Sequence, residues 1–133
     1  MNPGWANALR RSDMETLERL LDAGADINAR DQHGQTSLMI AARHGHGEVV
    51  RLLVNHGAAL DHSAKYGLTA LMLAVIGGHT EIVRVLVNAG ANTTARGSGA
   101  PGFHERTASD LAKAAGRRDL EELLRVAQAH GSE

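Results

Sequence analysis

An all-α solenoid of stacked helix–turn–helix units, joined by hairpin-like loops, is the architecture expected from this sequence. Three observations predict it. The chain matches itself when shifted by 33 residues, and each matching segment holds two short helical patterns. The chain also has no Cys and one each of Trp, Tyr and Phe. A core of Leu, Val, Ile and Ala suits closely packed small helices better than an aromatic-rich sandwich.

The repeat is clearest in the middle of the chain and continues towards both ends. The central matches, at a spacing of 33 residues, pair Gly34 with Gly67, Thr36 with Thr69, Ala41 with Ala74, Leu53 with Leu86, and Gly57 with Gly90. Backwards, Leu20 and Gly24 keep the same register, and forwards it returns after five extra residues at Thr107 and Leu124. We therefore expect one domain, 1–133, with units at about 1–30, 31–63, 64–96 and 97–133 and an insertion at about 97–106.

Each central unit contains the signals of two short helices. The hydroxyl groups of Thr36 and Thr69 are placed to cap the free N–H groups at the start of a first helix, which spans 37–44 in the second unit. Gly45 is expected to end that helix in a left-handed conformation, and a second helix follows over about 47–55. Helices this short are unstable alone in water, so each unit must stack on its neighbours.

The terminal units depart from this pattern in the way that capping units do. In the first unit, Pro3 takes the Thr position and Trp5 takes the Leu position, while Glu15 and Glu18 give a polar outer helix. In the last unit, charged residues accompany Leu120 and its neighbours. A terminal unit needs one solvated face, so both ends are expected to act as caps.

The segments Asp31 to Val50 and Ala64 to Ala91 resemble the ankyrin-repeat motif, which includes G-x-T-P-L-H-x-A-A-x-x-G-H. The resemblance covers nearly the whole chain. It departs from the motif where Pro is replaced by Ser37, Ala70 and Ala108, and where His is replaced by Met39, Met72 and Asp110. These changes affect the Thr–His hydrogen bond of the family but not the fold. The resemblance implies that His46 and His79 bond backbone carbonyls between repeats.

No pattern in the sequence indicates catalysis, a cofactor or a metal site. The eight His residues lack any Cys partner and do not form a set of three or four convergent ligands. The Gly97 to Gly102 stretch neither follows a strand nor opens a helix, so it is expected to be a flexible loop and not a phosphate site. We therefore expect no enzyme activity, no cofactor and no bound metal.

Charge and hydropathy bear on the compartment and on the partner. The net charge is −1, and the N-terminus lacks the basic stretch and apolar run of a signal peptide. Apolar runs are far shorter than the ~20 residues that span a bilayer. We expect a soluble chain in the cytoplasm, or alternatively in the nucleus, with no membrane partner.

The resemblance implies a binding site on a concave face, made by the hairpin tips and the exposed sides of the first helices. Tyr66, Leu68 and Ile76 match no core position, so they are expected to form an exposed apolar anchor surrounded by positive charge. Such a surface suits an acidic protein surface or peptide. The candidate binding residues are Arg10, Arg11, Arg30, Gln32, His33, Arg43, His44, Lys65, Tyr66, Leu68, Ile76, Arg96 and Phe103.

The predicted function is a non-catalytic protein–protein interaction module, either an adaptor or an inhibitor, that acts as a monomer. One alternative is weak nucleic-acid binding through the Arg-rich half of the concave face, which the near-zero net charge disfavours. Another is a self-associating scaffold. The insertion at 97–106 is either a neutral lengthening or a second contact surface, and the sequence leaves both open.

Overall fold

The computed structural model describes residues 1–99 and 102–131, and within them the regular structure is helical. Eight α-helices form four consecutive pairs, which confirms the predicted all-α solenoid. Their bounds are α1 (Pro3–Arg11), α2 (Met14–Asp22), α3 (Ser37–His44), α4 (Gly47–Asn55), α5 (Ala70–Gly77), α6 (Thr80–Asn88), α7 (Ala108–Ala114) and α8 (Arg118–Gly131). In this part of the chain, no helix has the length and hydropathy needed to cross a membrane.

The first helix of each pair begins at a side-chain cap. Thr36 Oγ1 and Thr69 Oγ1 each accept a hydrogen bond from a backbone N–H at 3.3 Å, as predicted. Thr107 does the same for α7, and Asp110 completes a reciprocal cap by accepting from the Thr107 backbone N–H at 3.0 Å. An Asp at the family's His position therefore still closes this helix end.

In the first unit, the sequence placed Pro3 at the position of the capping Thr, but the structure puts the cap one residue earlier. The Asn2 side chain is the cap, accepting from the backbone N–H of Gly4 at 2.7 Å and of Trp5 at 3.4 Å. Pro3 is the first residue of α1. Since Pro has no N–H and its fixed φ suits a helix, it is favoured at that position, and α1 starts one residue earlier in the repeat.

Stacking of the pairs builds one continuous core. Among second helices, α4 packs against α2 and α6, and α6 packs against α8, while among first helices α5 packs against α3 and α7. Ala41, Ala42 and Ala74 are fully buried, and their small side chains let first helices approach closely. The α1–α3 pair is absent from these closely packed pairs. The first helices of the first two units are therefore packed less closely than α3 and α5.

Polar side chains tie each unit to the next. The Trp5 indole Nε1–H donates to Ser37 Oγ at 2.5 Å, and both residues are buried. The carboxamide of Asn28 accepts from the backbone N–H of Ala59 at 2.9 Å, and Asp61 repeats this contact one unit later. These bonds fix the register between neighbouring units.

The Gly-His position shows both the expected link and an exception to it. His79 Nε2 donates to the Arg43 carbonyl oxygen at 3.1 Å, as the resemblance implied. The same expectation is wrong for His46, for which the structure of the described residues gives no such bond. At the matching position of the last unit, Arg117 donates to Gly78 O at 3.4 Å and to Thr80 Oγ1 at 3.0 Å. A guanidinium thus replaces the imidazole as the link.

Candidate protein-binding surface

A groove of about 980 Å³ lies between α1 and α3, in front of the first two hairpins. It brings together six of the predicted binding residues: Arg10, Gln32, His33, Arg43, His44 and Lys65. The remaining lining residues are Met1, Ala6, Leu9, Asp31, Gln35 and Ile40. The groove is therefore a surface shared by the first helices and the hairpin tips.

The floor of the groove is apolar and its rim is cationic. Leu9 is buried, while Met1 and Ile40 are half-buried and pack against the core. Arg10 and Arg43 are exposed on facing helices. Sequence reasoning gave Ile40 no role in binding, although it lies three residues before Arg43, a spacing that puts both on one side of α3.

Among the described residues, the cations of the rim form no ion pair with a carboxylate. Four ion pairs occur among the described residues, and none of them includes Arg10, Arg43 or Lys65. Arg43 instead contacts the His44 ring nitrogen at 3.3 Å, and Lys65 Nζ lies 4.9 Å from the centre of the Tyr66 ring. Arg10 bonds the neutral side chain of Asn7. The rim thus presents positive charge that no carboxylate in the described part of the chain pairs with.

One carboxylate, that of Asp31, lines the described part of the groove, and it serves the hairpin. Its Oδ1 accepts from the backbone N–H groups of His33 and Gln35, both at 2.9 Å. This contact fixes the turn that presents Gln32 and His33. With His neutral, three cations and one carboxylate give the groove a net formal charge of +2.

His44 lies at the cationic end of α3, and its surroundings lower its pKa. Partial burial disfavours the charged imidazole, and the positive charge of Arg43 adds to the effect, followed by His46 and His79. The lowered pKa favours the neutral form of the His44 ring. The His44 and His46 rings lie 6.0 Å apart, but in the portion that the structure describes no three His, Asp or Glu side chains converge as metal ligands do.

The predicted apolar anchor does not form as expected. Leu68 is half-buried and packs against the core, so the prediction that it is exposed is wrong. The Tyr66 ring stacks on Phe103 with 5.7 Å between ring centres, which covers one of its faces. Ile76 remains exposed, at 48%, near the end of α5. The sequence did not reveal this because both Leu68 and Tyr66 are covered by residues distant along the chain or by the core.

The insertion at 97–106 folds back on itself and onto the second hairpin. Gly97 N–H donates to Arg106 O at 2.8 Å, and Glu105 N–H donates to Gly97 O at 2.9 Å. Ser98 N–H donates to Tyr66 O at 2.6 Å, so Tyr66 is held at both its backbone and its ring. The ends of the insertion are therefore paired instead of forming an open flexible loop. Residues 100 and 101 of the predicted insertion lie outside the described residues.

Two of the predicted arginines stabilise the hairpins. The Arg30 guanidinium donates to Gly34 O at 2.7 Å and to Ser63 O at 2.9 Å, which joins the first hairpin to the second. Arg96 donates to Glu105 O at 2.8 Å across the insertion. Arg11 is exposed on α1 and does not line the groove. These three residues are therefore separated in role from the groove cations.

Comparison with known proteins agrees with this architecture. A family model described as "Ankyrin repeats (3 copies)" matches residues 5–96. A probable E3 ubiquitin-protein ligase of Oryza sativa subsp. japonica is 48% identical over 44 residues, which are 33% of this chain and 8% of that protein. A 60 kDa lysophospholipase of Mus musculus is 43% identical over 49 residues, 36% of this chain and 9% of that protein. Ankyrin repeat domain-containing protein 29 of Homo sapiens is 47% identical over 45 residues, 33% of this chain and 15% of its own length.

The matched segments cover less than a sixth of each of these relatives. The names of the ligase and the lysophospholipase denote unrelated activities, yet both proteins match this chain over segments of similar, short length. What this chain shares with them is therefore the repeat, and an activity of the whole relative does not follow from it.

Proposed function

Because the chain belongs to the ankyrin-repeat family, we propose that it is a non-catalytic adaptor or inhibitor that binds another protein on its concave face and hairpin tips. Ankyrin repeats generally mediate protein–protein interaction. The observation that carries the proposal is the groove between α1 and α3, where unpaired cations surround an apolar floor. A surface with uncompensated charge at the junction of several elements is suited to a partner of opposite charge.

We also propose that α7 and α8 form a fourth repeat, so that residues 1–133 make a single domain. The family model ends at residue 96, but α7 packs against α5 and α8 against α6, in the same way that the earlier pairs stack. Thr107 caps α7 as Thr36 and Thr69 cap their helices. The insertion between the third and fourth pairs lengthens the connection without changing the stacking.

Nucleic acid is the alternative partner, and the groove is poorly suited to it. Its described lining contains no Phe, Tyr or Trp on which a base could stack. The net charge of the chain is −1, so the long-range attraction to phosphate is small. Self-association would need an exposed apolar surface. Its support is limited, because the large apolar residues that are exposed in the described part of the chain, Ile76 and Val126, lie on different helices. We propose a monomer.

The test is capture of proteins from a native lysate by three immobilised chains. One is wild type, one carries Arg43→Glu with Ile76→Ser on the first helices, and the control carries Arg84→Glu with Val126→Ser on the second helices. All four residues are exposed, so each variant should stay folded. We expect a protein band that wild type and the control retain and the first-helix variant loses.

Three results would contradict the proposal. A band kept by the first-helix variant but lost by the control would move the site to the second helices. Capture of nucleic acid alone, lost steeply with added salt, would replace a protein partner with the alternative. A concentration-dependent dimer of the purified chain, with no band, would replace it with self-association.

A further inference from the structure

The groove lies where α1 packs on α3 less closely than α3 packs on α5. Trp5 occupies the repeat position held by Leu38 and Leu71 in the next two units, and its indole is buried with its N–H on Ser37 Oγ. An indole is larger than a Leu side chain, and α1 is not one of the helices that pack closely on α3. Trp5 fills the junction near the start of α1, and its neighbour Ala6 lines the groove.

The charges of the groove differ from those on the second helices. There, Arg51 and Arg84 both lie near Glu81, at 3.8 and 3.4 Å, and Arg125 bonds Glu122 at 2.5 Å. The groove cations have no such carboxylates, and the described groove residues offer only Asp31, whose Oδ1 is already used by the hairpin. A ligand that supplies carboxylates would complete the same pairing that the second helices make internally.

We propose that this groove, and not the surface around Tyr66, holds an extended acidic segment of the partner protein. Its carboxylates lie beside Arg10, Arg43 and Lys65, and an apolar side chain between them packs on Ile40 and Met1. This inference rests on the proposed protein-binding function and specifies the chemistry of its partner.

The dimensions and chemistry of the groove favour a peptide segment. A volume of about 980 Å³ is at the upper end of the ~300–1,000 Å³ found for small-ligand pockets, which leaves room for several side chains. Exposed backbone polar groups of a bound segment also find partners in the Gln32 and Gln35 side chains of the first hairpin. Hydrogen bonds from these amides to a peptide backbone do not depend on the sequence of the bound segment, whereas the cations select acidic side chains.

The experiment selects binders from a random 12-residue peptide library displayed on phage, using the folded full chain as bait. We expect the selected peptides to be rich in Asp and Glu around one apolar residue. Their affinities are then measured by fluorescence polarisation for wild type, Arg10→Glu and Arg11→Glu. These adjacent exposed residues of α1 make the same change of net charge, but only Arg10 lines the groove.

Arg10→Glu should weaken the binding of acidic peptides about tenfold or more. Arg11→Glu should change the affinity by no more than about twofold, because Arg11 does not line the groove and so makes no direct contact with the peptide. Equal losses in both variants would overturn the proposal, since a general charge effect would then explain binding. Selection of neutral or basic peptides, or of none, would overturn it too. After either of these outcomes, the lysate capture is repeated with Arg10→Glu. A protein band that this variant still captures shows that the proposed function stands and that only the acidic groove is wrong.

Discussion

The junction between α1 and α3 differs from the junction between α3 and α5, although both join first helices of neighbouring units. At the interior junction, small residues such as Ala41 and Ala74 are fully buried and the helices pack closely. At the first junction, the large Trp5 is buried, the helices pack less closely, and the groove lies between them. The two junctions therefore differ both in the size of the buried residue and in how closely the first helices pack.

The largest expected effect comes from making the same Leu→Ala substitution in the second unit and in the first unit. Leu53 and Leu20 occupy the same repeat position, but Leu53 is fully buried while Leu20 is half-buried at the open end. Leu53→Ala should cost ~2–5 kcal/mol of unfolding free energy, because it removes packed atoms and leaves a cavity. Leu20→Ala should cost clearly less, measured by urea denaturation. Equal losses would mean that the terminal unit is as tightly held as the interior.

The second prediction concerns the polar bond of the first junction. Ser37→Ala leaves the buried Trp5 indole N–H without its acceptor, which should cost ~1–3 kcal/mol. Ala itself is compatible with this position, since Ala70 holds it in the next unit. The double change Trp5→Phe with Ser37→Ala should therefore lose less than the sum of the single changes in urea denaturation. Strict additivity would show that the bond does not hold the two units together.

The Gly-His link provides a third comparison, between an interior junction and the last unit. Gly45 and Gly116 both have positive φ, +79° and +71°, so Ala at either should cost ~1 kcal/mol from backbone strain. A Cβ at Gly45 would also lie 2.7 Å from the His79 ring, whereas one at Gly116 meets no atom within 4 Å. Gly45→Ala should therefore cost ~1 kcal/mol more, the typical worth of the His79–Arg43 bond it displaces.

Thermal unfolding of the two variants beside wild type gives this difference directly. If Gly45→Ala and Gly116→Ala lose the same stability, His79 moves aside without cost, and the link contributes nothing at the interior junction.

The sequence predicts well those features that depend on neighbouring residues. The helices Ser37–His44 and Gly47–Asn55 and the Thr36 cap follow from local spacing and capping chemistry, and the structure confirms them. Repetition adds the stacking, because each unit exposes an apolar face that only another unit can cover. The six predicted residues that line the groove were found for the same reason, since repeat register identifies the first helices and hairpin tips.

The remaining features depend on contacts between residues far apart in the chain. The Tyr66 ring is covered by Phe103, which belongs to an insertion that has no counterpart in the other units. Arg117 replaces His as a link because its longer side chain reaches Thr80. The looser packing of α1 on α3 is a property of the junction between two units, which no local pattern in the sequence encodes. Register alone could not distinguish an exposed anchor from one that another segment covers.

The smallest expected effect is on the acid side of the stability curve, at the last unit. The bond from Arg117 lowers the pKa of Asp119 from 3.8 to about 2, since hydrogen bonding and the positive charge favour the ionised carboxylate. A carboxyl group whose pKa is lowered on folding stabilises the folded state at pH values above its ordinary pKa. This contribution is lost as the pH falls from about 4 towards 2. Asp119→Asn should therefore lower the melting temperature slightly at pH 7 and make little difference at pH 2.

The effect is small because the Asp119 side chain is 54% exposed and solvent screens the pair. The pair nevertheless orients the guanidinium that reaches Gly78 and Thr80, so it acts on the junction between the third and fourth helix pairs. Thermal unfolding at both pH values, repeated in 1 M salt, separates the two contributions. A deficit at pH 7 that persists in salt indicates lost orientation of Arg117, whereas one that salt removes indicates charge attraction alone. A deficit as large at pH 2 as at pH 7 would contradict the assignment of the low pKa to Asp119.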